Sequence, residues 1–202
     1  MKVLLHACCA DCALKFVESI KEDKQVTELV FYYYNPNIHP RSEYQSRLKA
    51  MKQIADENKI KLVIPDWKPM DYFKRVNSSV DESTSPSSKE DLRLTEREFL
   101  EKPKRCVACW NLRLEETATY AQKNGFEMFA STLVTSQYQD NLTIKKIAQS
   151  MAKKYKLEFY VPELICTELK TSGFYKQFFC GCCYSLAERM NEKFVIFEQQ
   201  QK

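Results

Sequence analysis

Glycine is nearly absent from this chain: three residues in 202, at positions 125, 173 and 181. None of them follows the first apolar run, so no glycine-rich loop is there to cradle phosphates, and nucleotide activation at that point is excluded. Long apolar runs are missing as well. No stretch approaches the roughly 18 apolar residues of a membrane span. The N-terminal "MKVLLHACC" turns polar too soon for a secretory signal. No internal repeat is visible. A cytoplasmic protein of one domain, residues 1–202, is expected.

What is present is ordinary in bulk and unusual in one respect. Hydrophobic residues make up 44% and charged residues 29%, with a net charge of +4, which permits a nucleic-acid partner without demanding one. Nine cysteines are many for a chain of this size. In a reducing compartment such clusters point to metal or redox chemistry rather than structural disulfides, and an odd count argues the same way.

The pattern predicts strands at 2–5, 26–35, 60–67, 126–134 and 157–163. Helices are predicted over 12–23, with Leu14, Val17 and Ile20 inward, over 41–59, with Leu48, Met51, Ile54 and Ala55 inward, and over 106–125, 140–155 and 183–197. Gly125 reads as a helix stop and Asp140 as a helix N-cap. Residues 76–103, Ser-rich and then acidic and helix-like, read as an exposed helical insertion. Strands alternating with helices imply an α/β fold with a three-layer parallel sheet, in which ligands gather beyond the carboxyl ends of the strands. "HACCADC", "NPNIHP" and "TSQYQD" all fall on that rim.

Three cysteine groups stand out. Cys8 and Cys9, with Cys12, end the first strand. Cys106 and Cys109 form a C-x-x-C at a helix start, where two thiolates can reach one metal and the helix terminus favours their charge. Four thiolates from these two groups suit zinc or an iron–sulfur cluster, although Cys-Cys fits a zinc knuckle poorly. Cys180 and Cys182 flank Gly181 and suit either a thiol–disulfide couple or a second metal site; Cys166 reads as packing.

Together, "LLHACCADC", "FYYYNPNIHPRSEYQSRL", "RCVACWNLRLEETA", "FASTLVTSQYQDNLTIKKIA" and "FFCGCCYS" resemble, in order and over nearly the whole chain, the epoxyqueuosine reductases of the QueH type. That resemblance implies an adenine-nucleotide α-hydrolase-like (Rossmann-like) fold. The implied reaction is reduction of the epoxide of epoxyqueuosine at the tRNA wobble position, the last step of queuosine synthesis. It further implies that Cys8, Cys9, Cys106 and Cys109 hold a [4Fe–4S] cluster, that Cys12 stands where an additional mononuclear iron is served, and that Cys180 and Cys182 are a redox-active pair. Two positions depart from the family pattern: Asp11 replaces proline and Cys183 replaces an aliphatic residue.

Turning an epoxide into an alkene takes two electrons and two protons, so a cofactor and an electron donor are required. Proton-donor candidates on the rim are His39, Tyr34, Glu43, Tyr138 and Asp140, with His6 nearer the cysteines. The anticodon loop of a tRNA partner would be held by aromatic stacking and phosphate contacts. Arg41, Arg47, Arg105, Arg113 and Trp110 are the candidates, with Tyr33, Tyr44 and Lys104 beside them. A sulfonucleotide reductase is the nearest enzymatic rival, lacking here its phosphate loop. A zinc-stabilised RNA-binding module is the rival without catalysis, and it leaves Cys-Cys and Cys-Gly-Cys unexplained.

Overall fold

A computed structural model of the chain describes residues 1–78, 104–136, 139–163 and 173–200. The expected insertion from 79 onwards, Tyr138 and Cys166 lie outside the described residues. Chain order is β1 (Lys2–His6), α1 (Ala10–Ser19), β2 (Glu28–Tyr32), α2 (Arg41–Glu57), β3 (Lys61–Val63), α3 (Pro69–Asn77), α4 (Lys104–Lys123), β4 (Met128–Ser131), α5 (Asn141–Tyr155), β5 (Glu158–Phe159) and α6 (Cys183–Gln200). The five strands are all parallel, in the order β3-β2-β1-β4-β5. The chain winds outward from β1 to β3, then crosses back to lay β4 on the other side of β1. The crevice between the carboxyl ends of β1 and β4 is therefore the point where the winding reverses, the usual place for a ligand in such sheets.

Period-two side-chain alternation builds a core on each face of the sheet. Val3 and Leu5 of β1, Phe31 of β2 and Met128 and Ala130 of β4 pack with α1 and α2. Leu4, Val30, Tyr32 and Phe129 point the other way, into a core closed by α3, α4 and α5. On α1 the buried face is Ala10, Ala13 and Phe16, continued by Ile20. Leu14 and Val17, expected inward, are only half-buried.

Several boundaries moved for local reasons. The strand expected to 134 stops at Ser131, whose Oγ accepts the Leu133 N–H at 3.2 Å and turns residues Thr132–Thr135 into a 3₁₀ turn. The edge strands β3 and β5 are shorter than their apolar runs, each pairing with one neighbour only. Helix α3 was not expected. Its cues are Pro69 in the first turn and buried Tyr72 and Val76 one turn apart, and it carries two residues of what read as the insertion.

The helix ends follow their sequence signals. Gly125 has φ +71°, and Phe126 N–H reaches the Ala121 carbonyl at 3.0 Å while Gly125 N–H reaches that of Gln122, a Schellman closure. Asp140 caps α5, accepting the Thr143 N–H at 3.0 Å. Among the described residues no helix is long and apolar enough to cross a membrane.

Phe129, fully buried and 5.2 Å ring to ring from Phe159, and Asp140 separate the two kinds of stabilisation. Phe129→Ala should cost about 3–5 kcal/mol in urea unfolding through the cavity it opens. Asp140→Ala should cost about 1 kcal/mol through the lost cap.

Candidate active site: three cysteine segments around a buried arginine

The first segment hangs from β1. Ala7 N–H still bonds the Tyr32 carbonyl at 3.0 Å, and the next two residues leave the sheet. Cys8 N–H donates to Thr132 Oγ1 at 3.3 Å, and its sulfur lies 3.5 Å from the same hydroxyl, tying the loop to the turn after β4. Cys9 is extended (φ −156°, ψ 151°), precedes α1 and is buried; Cys12 sits one turn into that helix. The three thiols are hydrogen-bonded in series. The Cys12 thiol, with burial next among the raising causes, pushes Cys9 up to about 12. The Cys9 thiol, then burial, holds Cys8 well above the ordinary thiol range.

The second segment is one face of α4. Cys106, Cys109 and Arg113 follow at helical spacing, so each lies near the next along the helix. Burial pushes Cys109 up to about 11, with Arg113 opposing. Arg113 itself is only 1% exposed. Its Nε donates to His6 Nε2 at 3.3 Å and its Nη2 to Asn35 Oδ1 at 2.9 Å. The Asn35 Nδ2 in turn donates to the Ala7 carbonyl at 2.8 Å. Toward the guanidinium, which carries donors only, His6 Nε2 can only accept; the same nitrogen lies 3.2 Å from the Tyr34 carbonyl, and Nδ1 lies 2.9 Å from Ser131 Oγ. Burial, then the Arg113 charge, hold His6 well below its ordinary range and hence neutral.

The rest of the Arg113 guanidinium faces sulfur. Cys8 and Cys109 are hydrogen-bonded to it, and Cys180 lies within its field. Among the described residues no carboxylate pairs with it. A buried cation without a counter-ion is costly, by several kcal/mol. The groups placed to supply negative charge are the thiols.

The third segment, Phe179 to Cys183, is held by its main chain. Arg47 Nη2 and Nη1 donate to the carbonyls of Phe179 and Cys180 at 3.0 and 3.3 Å, and its Nε is paired with Glu43 at 2.6 Å, both side chains being buried. Glu43 also accepts from the Tyr175 hydroxyl. His39 N–H donates to the Gly181 carbonyl at 2.7 Å. Gly181 has φ +114°, and a Cβ there would lie 3.1 Å from Ile38 Cγ1 and 3.2 Å from Arg47 Nη1. Only glycine fits this turn. Cys180 emerges exposed, with the Gln139 amide 3.8 Å from its sulfur. Cys182, 7% exposed, stands directly before α6 and accepts the Ser185 N–H on its sulfur at 3.3 Å. A hydrogen bond from Cys180, then those from Ser185 and the Tyr72 hydroxyl, hold Cys182 below the ordinary thiol range. The same pairing pushes Cys180 up.

The remaining expected residues fall in different places. Trp110 is 2% exposed and, like Arg113, interior. Tyr33 and Tyr44 are core aromatics, 5.2 Å ring to ring. Glu43 and Arg47 anchor the third segment rather than face solvent, and Asp140 caps α5. Tyr34 lines an open cavity of about 370 Å³ with Asp71, Lys74, Arg75, Leu112 and Glu116, none of them a cysteine. Arg41 is exposed, its guanidinium 5.8 Å from the Trp67 ring centre, while Arg105 pairs with Glu188 and lies over Tyr184. Lys104 is exposed at the start of α4.

His39 bonds the Asn37 carbonyl through Nδ1 at 2.7 Å, leaving Nε2 buried without a partner. The sequence reading passed over Asn37. Its amide is buried with neither nitrogen nor oxygen satisfied, beside the residue that anchors Gly181. Its one signal was a second asparagine in a turn that needed only one. Among the described residues no three His, Cys, Asp or Glu groups close to the separation a single ion needs.

A family model described as epoxyqueuosine reductase QueH matches residues 3–188. The chain is similar to the epoxyqueuosine reductase QueH of Dehalococcoides mccartyi, 33% identical over 198 residues that cover 95% of this chain and 96% of that one. It is 31% identical to the QueH of Histophilus somni, over 93% of this chain and 73% of the relative. Against that of Haemophilus influenzae it is again 31% identical, over 93% and 72%.

The anchoring of the third segment is open to direct test. Arg47→Met should lower stability by about 3–5 kcal/mol, because Glu43 is then buried without its cation. Limited proteolysis around residues 178–181 should accelerate several-fold. Arg41→Met, at the exposed stack, should change neither measurement.

Proposed function

The chain belongs to the QueH family of epoxyqueuosine reductases, oxidoreductases that act in tRNA queuosine biosynthesis, and on that premise we propose that its three cysteine segments form one redox centre. Cys8, Cys9, Cys106 and Cys109 are the residues that would hold a [4Fe–4S] cluster, with Cys12 beside them for an additional iron. The observation that carries this reading is Arg113: a buried guanidinium without a carboxylate partner, hydrogen-bonded to one thiol of each pair. A thiolate-ligated cluster is anionic, so its charge suits that cation. Each thiolate of a cubane bonds a different iron, so the four sulfurs need not crowd within reach of a single ion. When bound, such a cluster supplies electrons one at a time at low potential.

The residues of the chain account for the rest of the stoichiometry. Oxidation of the Cys180 and Cys182 thiols to a disulfide releases two electrons and two protons. Conversion of the epoxide to an alkene consumes two electrons and two protons and releases the oxygen as water. The two half-reactions balance, which gives the Cys-Gly-Cys turn its role as the store that matches a one-electron centre to a two-electron reaction. Among the proton-donor candidates described, Glu43 is committed to Arg47 and Tyr175, and Asp140 to Thr143. Tyr34 lines a cavity without a cysteine, so His39 Nε2 and the Asn37 amide, both unsatisfied and close in sequence to the His39 N–H that bonds Gly181, are left to bond and orient the reacting ring. Arg41 over Trp67, whose ring lies 5.9 Å from that of His39, offers a stacking and phosphate contact for the anticodon loop on the way to them. The strand order and the two-faced core support an α-hydrolase-like fold in which "HACCADC" replaces a phosphate loop.

Protein purified without oxygen should be brown, with about four iron and four sulfide per chain. It should convert epoxyqueuosine-tRNA to queuosine-tRNA. Cys106→Ala should lose the colour. Cys182→Ser should keep it and lose turnover on the order of 100-fold. A colourless, zinc-only protein without this activity would end the cluster reading, and an active Cys182 variant would end the dithiol one.

A further inference from the structure

The two sulfurs of the Cys-Gly-Cys turn have opposite surroundings, and this decides where its electrons enter. Cys180 is exposed, and beside its hydrogen bond with the Cys182 thiol its sulfur has a side-chain amide at 3.8 Å. Cys182 is buried in the core beside α3 and α4, with the fully buried Tyr72 hydroxyl and the Ser185 N–H on its sulfur. Thiol–disulfide exchange proceeds through attack by a thiolate on one sulfur, in line with the bond that breaks, and access selects the sulfur attacked. Cys182 is packed in the core, so a nucleophile would have to pass buried side chains to reach it, whereas Cys180 is the exposed member of the pair.

We propose that this chain is recharged by an external dithiol that attacks Cys180, with Cys182 as the leaving sulfur. This rests on the reading of Cys180 and Cys182 as a redox pair. A thiolate of the dithiol bonds Cys180 Sγ, the Cys180–Cys182 bond breaks, and its electron pair stays on Cys182. There the Ser185 N–H and the Tyr72 O–H receive the charge, at the positive end of α6. The second thiol of the donor then attacks its own sulfur in the mixed disulfide, the donor leaves as a disulfide, and Cys180 departs as a thiolate. The two donor protons go to Cys180 and Cys182. One dithiol is oxidised by two electrons and the pair is reduced by two. The buried leaving group and the exposed electrophile divide the work that a symmetric dithiol would leave unassigned. Arg47 keeps Cys180 at the surface by gripping the carbonyls of residues 179 and 180.

The experiment uses the full chain as isolated, mildly oxidised, and reads disulfides by peptide mass mapping. A Cys180–Cys182 disulfide is expected first. Brief exposure to glutathione and acid quenching should then place the mixed disulfide on Cys180 in at least tenfold excess over Cys182. Reduced thioredoxin lacking its second active cysteine should be captured at the same sulfur, and Cys183→Ala should leave both results unchanged. Capture at Cys182, or equal capture at both, overturns the assignment while leaving the redox pair intact. Absence of the Cys180–Cys182 disulfide overturns the redox pair itself, and the assignment with it.

Discussion

A guanidinium sealed inside a protein must be matched by negative charge, and Arg113 is sealed without a carboxylate among the described residues. Much of the site follows from that requirement. The arginine reaches β1 through His6, the loop after β2 through Asn35, and the end of β4 through Ser131, whose hydroxyl lies against the His6 ring. Those are the segments that converge where the winding of the sheet reverses. The same side chain that organises the neutral hydrogen-bond network also presents its remaining charge to the sulfurs. Assembly of the rim and a pull toward thiolate at Cys8 and Cys109, which burial and the neighbouring thiols outweigh, are therefore two consequences of one buried cation.

The sulfurs themselves are not equivalent. Along Cys8, Cys9 and Cys12 the thiols are hydrogen-bonded in a chain in which Cys12 raises Cys9 and Cys9 raises Cys8. Such a chain resists ionisation until something outside the polypeptide takes the protons' place. At Cys180 and Cys182 the sharing is one-sided, because a helix start and a tyrosine stabilise one sulfur and solvent reaches the other. The proposed cluster ligands and the proposed redox pair ask for these two environments respectively. They are built from the same amino acid by burial and backbone alone.

The broad plan was legible in the chain because it rests on periodicity. Alternating strands and helices announced the parallel sheet, and cysteines placed just after strands announced the rim. The Asp140 cap and the Gly125 stop were readable because they depend on local chemistry. Arg47 and Arg113 were not, since both sit on amphipathic helices where an arginine normally faces water. Only the contacts of a folded chain show that one grips a loop and the other neutralises sulfur. Helix α3 was hidden by its neighbour: a polar segment beginning at 76 drew the boundary too early, although Tyr72 and Val76 already marked a buried face. Asn37 was hidden by plausibility, since asparagine in a turn needs no further explanation until its amide is found buried and unsatisfied.

Arg47 holds the third segment by carbonyl oxygens, which every residue possesses, and Gly181 holds it by the lack of a side chain. The Arg47 guanidinium also lies 5.4 Å from the Phe179 ring centre, so the tether uses the side chain at 179 and is indifferent to those at 178 and 180. The surface around the exposed sulfur can change, and with it the choice of the proposed electron donor, without moving the sulfur. Variation should be free at 178, restricted at 180 by chemistry, and forbidden at 47 and 181 by geometry. In a family whose members live in different cells, such a mount lets one catalytic interior be served by unrelated suppliers.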